Sequence, residues 1–335
     1  MEPKELPPPA QLMKFIVGKW ISKPIYVAAE LGIADKLAKG PRSIDELARM
    51  SQTDAPTLYR VLRALASVGI FSEGRDGRFE LTPMAEFLKT GMMRSMALMF
   101  NADWNDHAWG CLLDSVRTGG TAFEKAHGMS LMEWLGKNPR QAAVLHEANA
   151  VKAAHTHRVI VDAYDFSGID TLVDIGGGYG TLMAAVLKAH PDMKGIVADR
   201  PEVVDGARRI IQEQSLDHRC TAEVCDFFHS VPPGGDAYLL SHVLHDWEDA
   251  PCHKILRNCS AAMSPGGRLL VVEMIIPPGN EPAVAKLLDL EMLVITGGRE
   301  RTEEEFKTLF GACGIEMSRV IPTQENICII EGIRN

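Results

Sequence analysis

Read for its alternation of apolar and polar positions, the chain changes period twice. From Ile21 to about Leu88 it reads as three helices and a hairpin. "RSIDELARM" opens on Ser43 and carries Glu46 three residues on, a capping box in which each residue satisfies an amide left free at a helix start. "SQTDAP" then turns the chain into "TLYRVLRALASVG". There Leu58, Leu62 and Leu65, with Val61 and Val68, recur at helical spacing as one apolar stripe, and Gly69 ends the helix. "IFSE", "GRDG" and "RFELT" predict a strand, a tight turn and a strand. Two helices joined by a turn and followed by a hairpin make a winged helix. From about Arg94 to Val161 the pattern stays helical. Beyond Phe166 short apolar runs alternate with helical stretches: "TLVDIG", "KGIVAD", "CTAEVCD", "DAYLLSHV" and "GRLLVVEMI", then "IEMSRVIP" and "ENICIIEG". Strands alternating with helices predict a parallel sheet covered on both faces, and the last two runs, joined by a short turn, predict an antiparallel hairpin at one edge. The fold class expected is α/β, a doubly wound, Rossmann-like sheet of seven strands behind an N-terminal helical, winged-helix domain. The boundaries are residues 1–93, a helical linker 94–165 that contributes to a pocket, and 166–335.

Composition narrows the function classes. A length of 335 residues suits two domains, and a net charge of −9 argues against a protein that grips a nucleic-acid backbone, which rests on clustered Lys and Arg. The winged helix raises the question of DNA again. Its second helix offers only Arg60 and Arg63, so a packing or dimerisation surface is the favoured reading. "MEPKELPPPA" has no signal-like apolar core and nowhere do about eighteen apolar residues run together, which predicts a cytoplasmic protein that does not span a membrane. The first ten or so residues are expected to be disordered. The seven cysteines are odd in number and scattered without a CxxC pair, so reduced, buried thiols are expected rather than disulfides or a zinc site. Trp104, His107, Trp109, Met129, Met132 and Trp134 read first as core, with pocket lining as the alternative.

The first strand of the second domain ends in "VDIGGGYGTL". Asp174 precedes Gly176, Gly178 and Gly180, which lead into a helix and bring backbone amides close to whatever lies above the strand. A dinucleotide fingerprint would need glycine at position 181, where Thr181 stands, so the spacing suits a smaller nucleoside ligand without a pyrophosphate. Asp199, ending the second strand, can accept hydrogen bonds from ribose hydroxyls. Asp226, after the third, offers an acceptor to an adenine amino group beside the aromatic rings of Phe227 and Phe228. The fourth strand runs into "SHVLHDWED". His245 there is either a base or a residue that merely satisfies the strand end, and the residues alone leave the two readings level.

"LVDIGGGYG", "VADRP", "CDFF", "SHVLHDWED" and "GGRERTEEEF", in this order behind a winged helix, resemble the S-adenosylmethionine-dependent small-molecule O-methyltransferases of the caffeic acid and hydroxyindole type, the bacterial natural-product branch above all. The resemblance covers nearly the whole chain. It implies a homodimer locked through the amino-terminal helices, S-adenosylmethionine bound in the carboxy-terminal domain, and a small, aromatic acceptor. It also implies that His245 is the general base, flanked by Glu273 and Glu300. A phenol titrates near pH ~10, so an imidazole within hydrogen-bond reach makes its oxygen nucleophilic. Glu300 has a plainer alternative, pairing with Arg299 or Arg301.

By the same resemblance Asp174, Gly176, Gly178, Gly180, Asp199, Asp226, Phe227, Ser241 and Trp247 face the donor, and Trp109, Met129, Asp246, Met292 and Ile295 face the acceptor. The chain departs from plant members at Ser241, where they often carry Lys, at Cys225, which replaces a common Gly, and at Ile295 and Thr296, which replace Asn and Pro. The acceptor wall is accordingly expected to be more apolar. A sulfonium donor is already activated, so no metal is required. His242 and His245, three residues apart, are the one pair considered for a metal and are not assigned one. The rival functions are N- or S-methyl transfer on the same fold, which needs a base less, and a winged-helix regulator that senses the donor.

Overall fold

The structure, a computed structural model, describes residues 6–335, apart from the side chains of residues 154 and 155. Of the segment expected to be disordered, residues 1–5 lie outside the described residues, and the rest of that expectation is corrected: Pro8–Ile16 is a helix. Its prolines stand at the first positions, where the missing N–H would have had no partner. The chain divides into two compact units, one taking in the chain up to His107 with Met132–Val151, the other Ala108–Leu131 with Lys152–Asn335. The helical stretch 94–165 is thus shared between them, and the long helix Pro139–Ala163 belongs partly to each.

The first unit contains the winged helix. Ser43 and Glu46 form the capping box of the helix Ile44–Ser51, and the Asp54 carboxylate accepts from Thr57 N at 2.9 Å to start the helix Ala55–Ser67. Leu58, Leu62 and Leu65 are buried along one stripe of that helix. Strand β1 (Arg42–Ser43) and the hairpin of β2 (Phe71–Glu73) and β3 (Arg78–Leu81) form an antiparallel sheet of order β1-β3-β2. Arg63 lies over the ring of Tyr59, 5.4 Å from its centroid.

In the second unit β4 (Thr171–Ile175), β5 (Lys194–Asp199), β6 (Cys220–Val224), β7 (Ala237–Ser241), β8 (Arg268–Glu273), β9 (Ile315–Pro322) and β10 (Cys328–Arg334) form one sheet of order β6-β5-β4-β7-β8-β10-β9. The first five are parallel, and β10 runs antiparallel to both β8 and β9. Parallel strands need covering on both faces, and two clusters supply it. One includes Leu172, Leu187, Leu239 and Leu270, the other Val173, Tyr238, Leu256 and Phe310. From β4 the chain builds outward through β5 and β6, then returns to add β7 on the other side. The strand order therefore reverses between β4 and β7, which opens a crevice at their carboxyl ends, where open α/β sheets take ligands. Five cysteines are buried and Cys111 and Cys328 are half-buried, all of them free thiols. Among the described residues no helix is long and apolar enough to cross a membrane.

The antiparallel edge is tied to the rest of the unit by a buried hydrogen bond from the Tyr164 hydroxyl to Glu331 Oε2 at 2.6 Å, with Arg319 and Ser318 on the same carboxylate. Burial and the Glu331 carboxylate push the Tyr164 phenol up to about 12. Tyr164→Phe is expected to cost ~1–2 kcal/mol in urea unfolding.

Candidate active site

The crevice is formed where the turn after β4 meets the turn after β7. Gly176 has φ +69°, and a Cβ built on it would lie 2.9 Å from Val243 Cγ2 and 3.7 Å from the Phe227 ring. Only glycine allows this approach. Gly178 has φ +59° and open space where its side chain would be, while its N–H donates to Asp199 Oδ2 at 2.8 Å. Asp174, just beneath, is 1 % exposed, and neither of its carboxylate oxygens has a hydrogen-bond partner among the described residues. Burial, and then the charge of Asp199, pushes its carboxyl up to about 7. A buried acid without a partner and glycines without side chains, beside an aspartate whose two oxygens each accept one backbone amide, fit a ligand rich in N–H and O–H donors.

Asp226 sits exposed beyond β6, accepting from Phe228 N at 3.0 Å and meeting His229 Nδ1 at 2.8 Å. The Phe228 amide and then His229 hold its carboxyl below the usual range. The rings of Phe227 and Phe228 (4.8 Å between centroids) both meet Trp247 edge-on, at 6.4 and 4.8 Å, so the aromatic positions read from the sequence come together beside Gly176. Ser241 ends β7, half-buried, paired in register with Val272.

His245 lies in a short 3-10 turn, Leu244–Asp246, whose amides are collected by one carboxylate. Glu273, fully buried at the end of β8, accepts with Oε1 from Val243 N (3.1 Å), Leu244 N (3.0 Å) and His245 N (3.3 Å). Its Oε2 lies 3.3 Å from His245 Nδ1. Glu300, 1 % exposed, places Oε1 at 2.9 Å from the same nitrogen. The plainer alternative for Glu300 is therefore excluded: Arg299 pairs with Glu305, Arg301 with Asp249 at 2.8 Å, and Glu300 turns to the histidine.

With Nδ1–H held by a glutamate, the Nε2 lone pair is the one left to accept a proton; Asp246 Oδ1 stands 3.9 Å from it. Burial alone would lower the imidazole. Glu273, Glu300 and Asp246 outweigh it and raise His245 to about 9, while Glu273, against its own burial, is held down to about 2 by His245, His242 and the turn amides. Burial, with the charges of Glu273 and Glu300, pushes the Asp246 carboxyl up despite His245 beside it.

Two further residues fix this turn. Arg301, 1 % exposed, donates to Leu244 O (3.0 Å), Trp247 O (2.9 Å) and Asp249 (2.8 Å). Gly298 passes so close to the turn that a Cβ on it would run into the His245 carbonyl and come within 2.7 Å of Trp247 N, while Arg299 N donates to His245 O at 2.9 Å. The loop carrying Glu300 follows the helix Val284–Ile295, where Met292 and Ile295 are buried. That helix packs against the helices Leu112–Thr118 and Ala122–His127, and the Trp109 indole donates to Glu291 at 2.7 Å, with Trp109 as a whole 37 % exposed. Met129 is half-buried just beyond.

Sequence reading missed Lys152, His157 and Arg301. Lys152 lies on the helix Pro139–Ala163, half-buried, and feels Glu273, Glu300 and Asp246; burial nonetheless lowers its ammonium. His157, on the same helix, is lowered to about 4 by burial and then by His242. The signal for the first two was a lysine and two histidines in "NAVKAAHTH", a stretch otherwise without charge.

Known proteins resemble the chain along most of its length. Residues 109–316 match the O-methyltransferase domain, and residues 13–91 the O-methyltransferase dimerisation domain. The phenazine O-methyltransferase PhzM of Lysobacter antibioticus is 45 % identical over 323 residues, 96 % of this chain and 94 % of that protein. The crystal structure of LaPhzM superposes with a TM-score of 0.93 at 44 % identity, covering 98 % of this chain and all of the other. NcsB1 of neocarzinostatin biosynthesis, solved with S-adenosylmethionine and 2-hydroxy-5-methyl naphthoic acid, gives 0.82 at 32 % identity, covering 94 % and 96 %. By these matches over almost its full length the chain belongs to the S-adenosylmethionine-dependent O-methyltransferases.

Proposed function

We propose that this O-methyltransferase acts on a hydroxyl of a small aromatic natural product and that His245 removes the hydroxyl proton. The observation that carries the reading is the fixed tautomer: Glu300 and Glu273 occupy the Nδ1 side of the ring, which leaves Nε2 to the acceptor. When bound, S-adenosylmethionine supplies a methyl group on a positively charged sulfonium, and that charge opposes protonation of the ring. Neutral His245 then accepts the hydroxyl proton at Nε2 as the oxygen becomes the nucleophile, and Glu300 with Glu273 stabilises the imidazolium that results. Asp199 is assigned to the ribose hydroxyls, Asp226, Phe227 and Trp247 to the adenine, and Asp174 with Gly176, Gly178, Gly180 and Ser241 to the rest of the donor. Met292, Ile295, Trp109, Met129 and Asp246 are assigned to the acceptor, and the apolar pair Met292 and Ile295 suits an aromatic ring, the class NcsB1 was solved with.

A homodimer is part of the proposal. Phe15 is 82 % and Trp20 68 % exposed on the helices that open the first unit, more bare aromatic surface than a lone chain ordinarily carries.

His245→Ala is expected to lower kcat by ~10²–10⁴-fold with donor affinity, read by calorimetry, nearly unchanged. Free of ligands the ring is held near 9, so kcat/KM for the donor should climb as pH rises towards about 9. Glu300→Gln, which removes one charge that favours the imidazolium, should move that limb to lower pH; a limb that stays in place would show that His245 is not the titrating base. Asp199→Ala is expected to weaken donor binding while sparing the fold. Gly298→Ala, by displacing residues 245–247, should cost roughly 10²-fold in turnover with an unchanged far-UV circular dichroism spectrum.

A further inference from the structure

His242 is the residue the reaction leaves without a task. It follows β7 with φ +55°, a left-handed conformation uncommon outside glycine. It is half-buried, and neither ring nitrogen has a hydrogen-bond partner among the described residues. Its ring lies 5.4 Å from that of His245, centroid to centroid. Its Nδ1 is 3.7 Å from Glu273 Oε2, too far for a hydrogen bond, and the same oxygen is 3.3 Å from His245 Nδ1 and otherwise unpartnered.

These separations suggest another use. Zinc holds nitrogen at about 2.0–2.1 Å and carboxylate oxygen at about 2.0–2.2 Å, so neighbouring ligand atoms in a tetrahedron lie about 3.3–3.5 Å apart. The three atoms of His242, His245 and Glu273 all fall within 4.8 Å of one another, with two of the separations at 3.3 and 3.7 Å. Glu300 Oε1, 2.9 Å from His245 Nδ1, lies beside this set and holds the same nitrogen when no cation is bound. Two imidazoles and one carboxylate, with the fourth position of the tetrahedron left open, suit zinc or cobalt, whereas magnesium prefers oxygen alone. The Lys152 ammonium works against a cation here, and burial already weakens it.

We infer that His242, His245 and Glu273 form an inhibitory site for a borderline divalent cation of the zinc class. The cation takes the lone pair of His245 Nδ1 and so obliges the neutral ring to carry its hydrogen on Nε2, the atom that must accept the hydroxyl proton. Occupancy therefore switches methyl transfer off. The inhibition rests on His245 being the base; the binding does not.

The test uses the full-length protein stripped with chelator and titrated with Co²⁺ and Zn²⁺ alone. Co²⁺ should give the intense visible d–d bands of a tetrahedral site without the thiolate charge-transfer band that any of the seven cysteines would add. Zn²⁺ should abolish turnover, chelator should restore it, and Mg²⁺ should do neither. His242→Asn, which tolerates the left-handed backbone, should keep its turnover without metal, lose the d–d bands and need roughly tenfold more Zn²⁺ or above for half-inhibition. His242→Gly guards against a misfolded Asn variant and should behave alike. Absent d–d bands, or equal Zn²⁺ sensitivity in wild type and both variants, would overturn the site. Bands that vanish with His242 while wild-type turnover ignores Zn²⁺ would overturn the inhibition and count against His245 as the base, leaving only a binding site.

Discussion

A single carboxylate organises the crevice. Glu273 has no exposed surface, and one of its oxygens accepts three consecutive backbone amides from Val243 to His245. Burying a charge is costly unless it is hydrogen-bonded, and hydrogen bonds to a charged acceptor are the strong ones. The need to satisfy Glu273 therefore pulls the turn after β7 down onto the end of β8 and dictates where His245 begins. The second oxygen of the same group then biases the imidazole towards its charged form. One residue sets both the position and the protonation of the ring.

The switch in strand order couples this turn to the donor side. Because β4 and β7 are neighbours, the glycine turn that follows one must pass the turn that follows the other, and Gly176 touches Val243 where any side chain would collide. The donor cradle and the histidine are consequently parts of one packed junction. Arg301 and Gly298 clamp the far side of it, the first by donating to carbonyls of the turn, the second by having no side chain to keep the Glu300 loop away.

Similar acids have opposite fates on strands of the same sheet. Glu273 is held down to about 2 because amides and imidazoles surround it; Asp174, equally buried, rises to about 7 because nothing does and Asp199 repels its charge. The contrast separates an acid whose partners belong to the fold from one whose partners a ligand would bring.

By itself the sequence determined the local events. The capping box at Ser43, the stripe of Leu58, Leu62 and Leu65, the seven strands, the glycine turn and the order of motifs all depend on residues close together in the chain, where spacing fixes geometry. It also marked His245, Glu273 and Glu300, although spacing could not tell whether Glu300 would face an arginine or the histidine. That choice, the three amides on Glu273, the unpartnered carboxylate of Asp174, the approach of Lys152 and His242 to Glu273, and that of His157 to His242 were decided only by tertiary structure. They join residues from 28 to 55 positions apart or more, and the energy of a buried charge depends on every neighbour the fold brings to it, which no local pattern records.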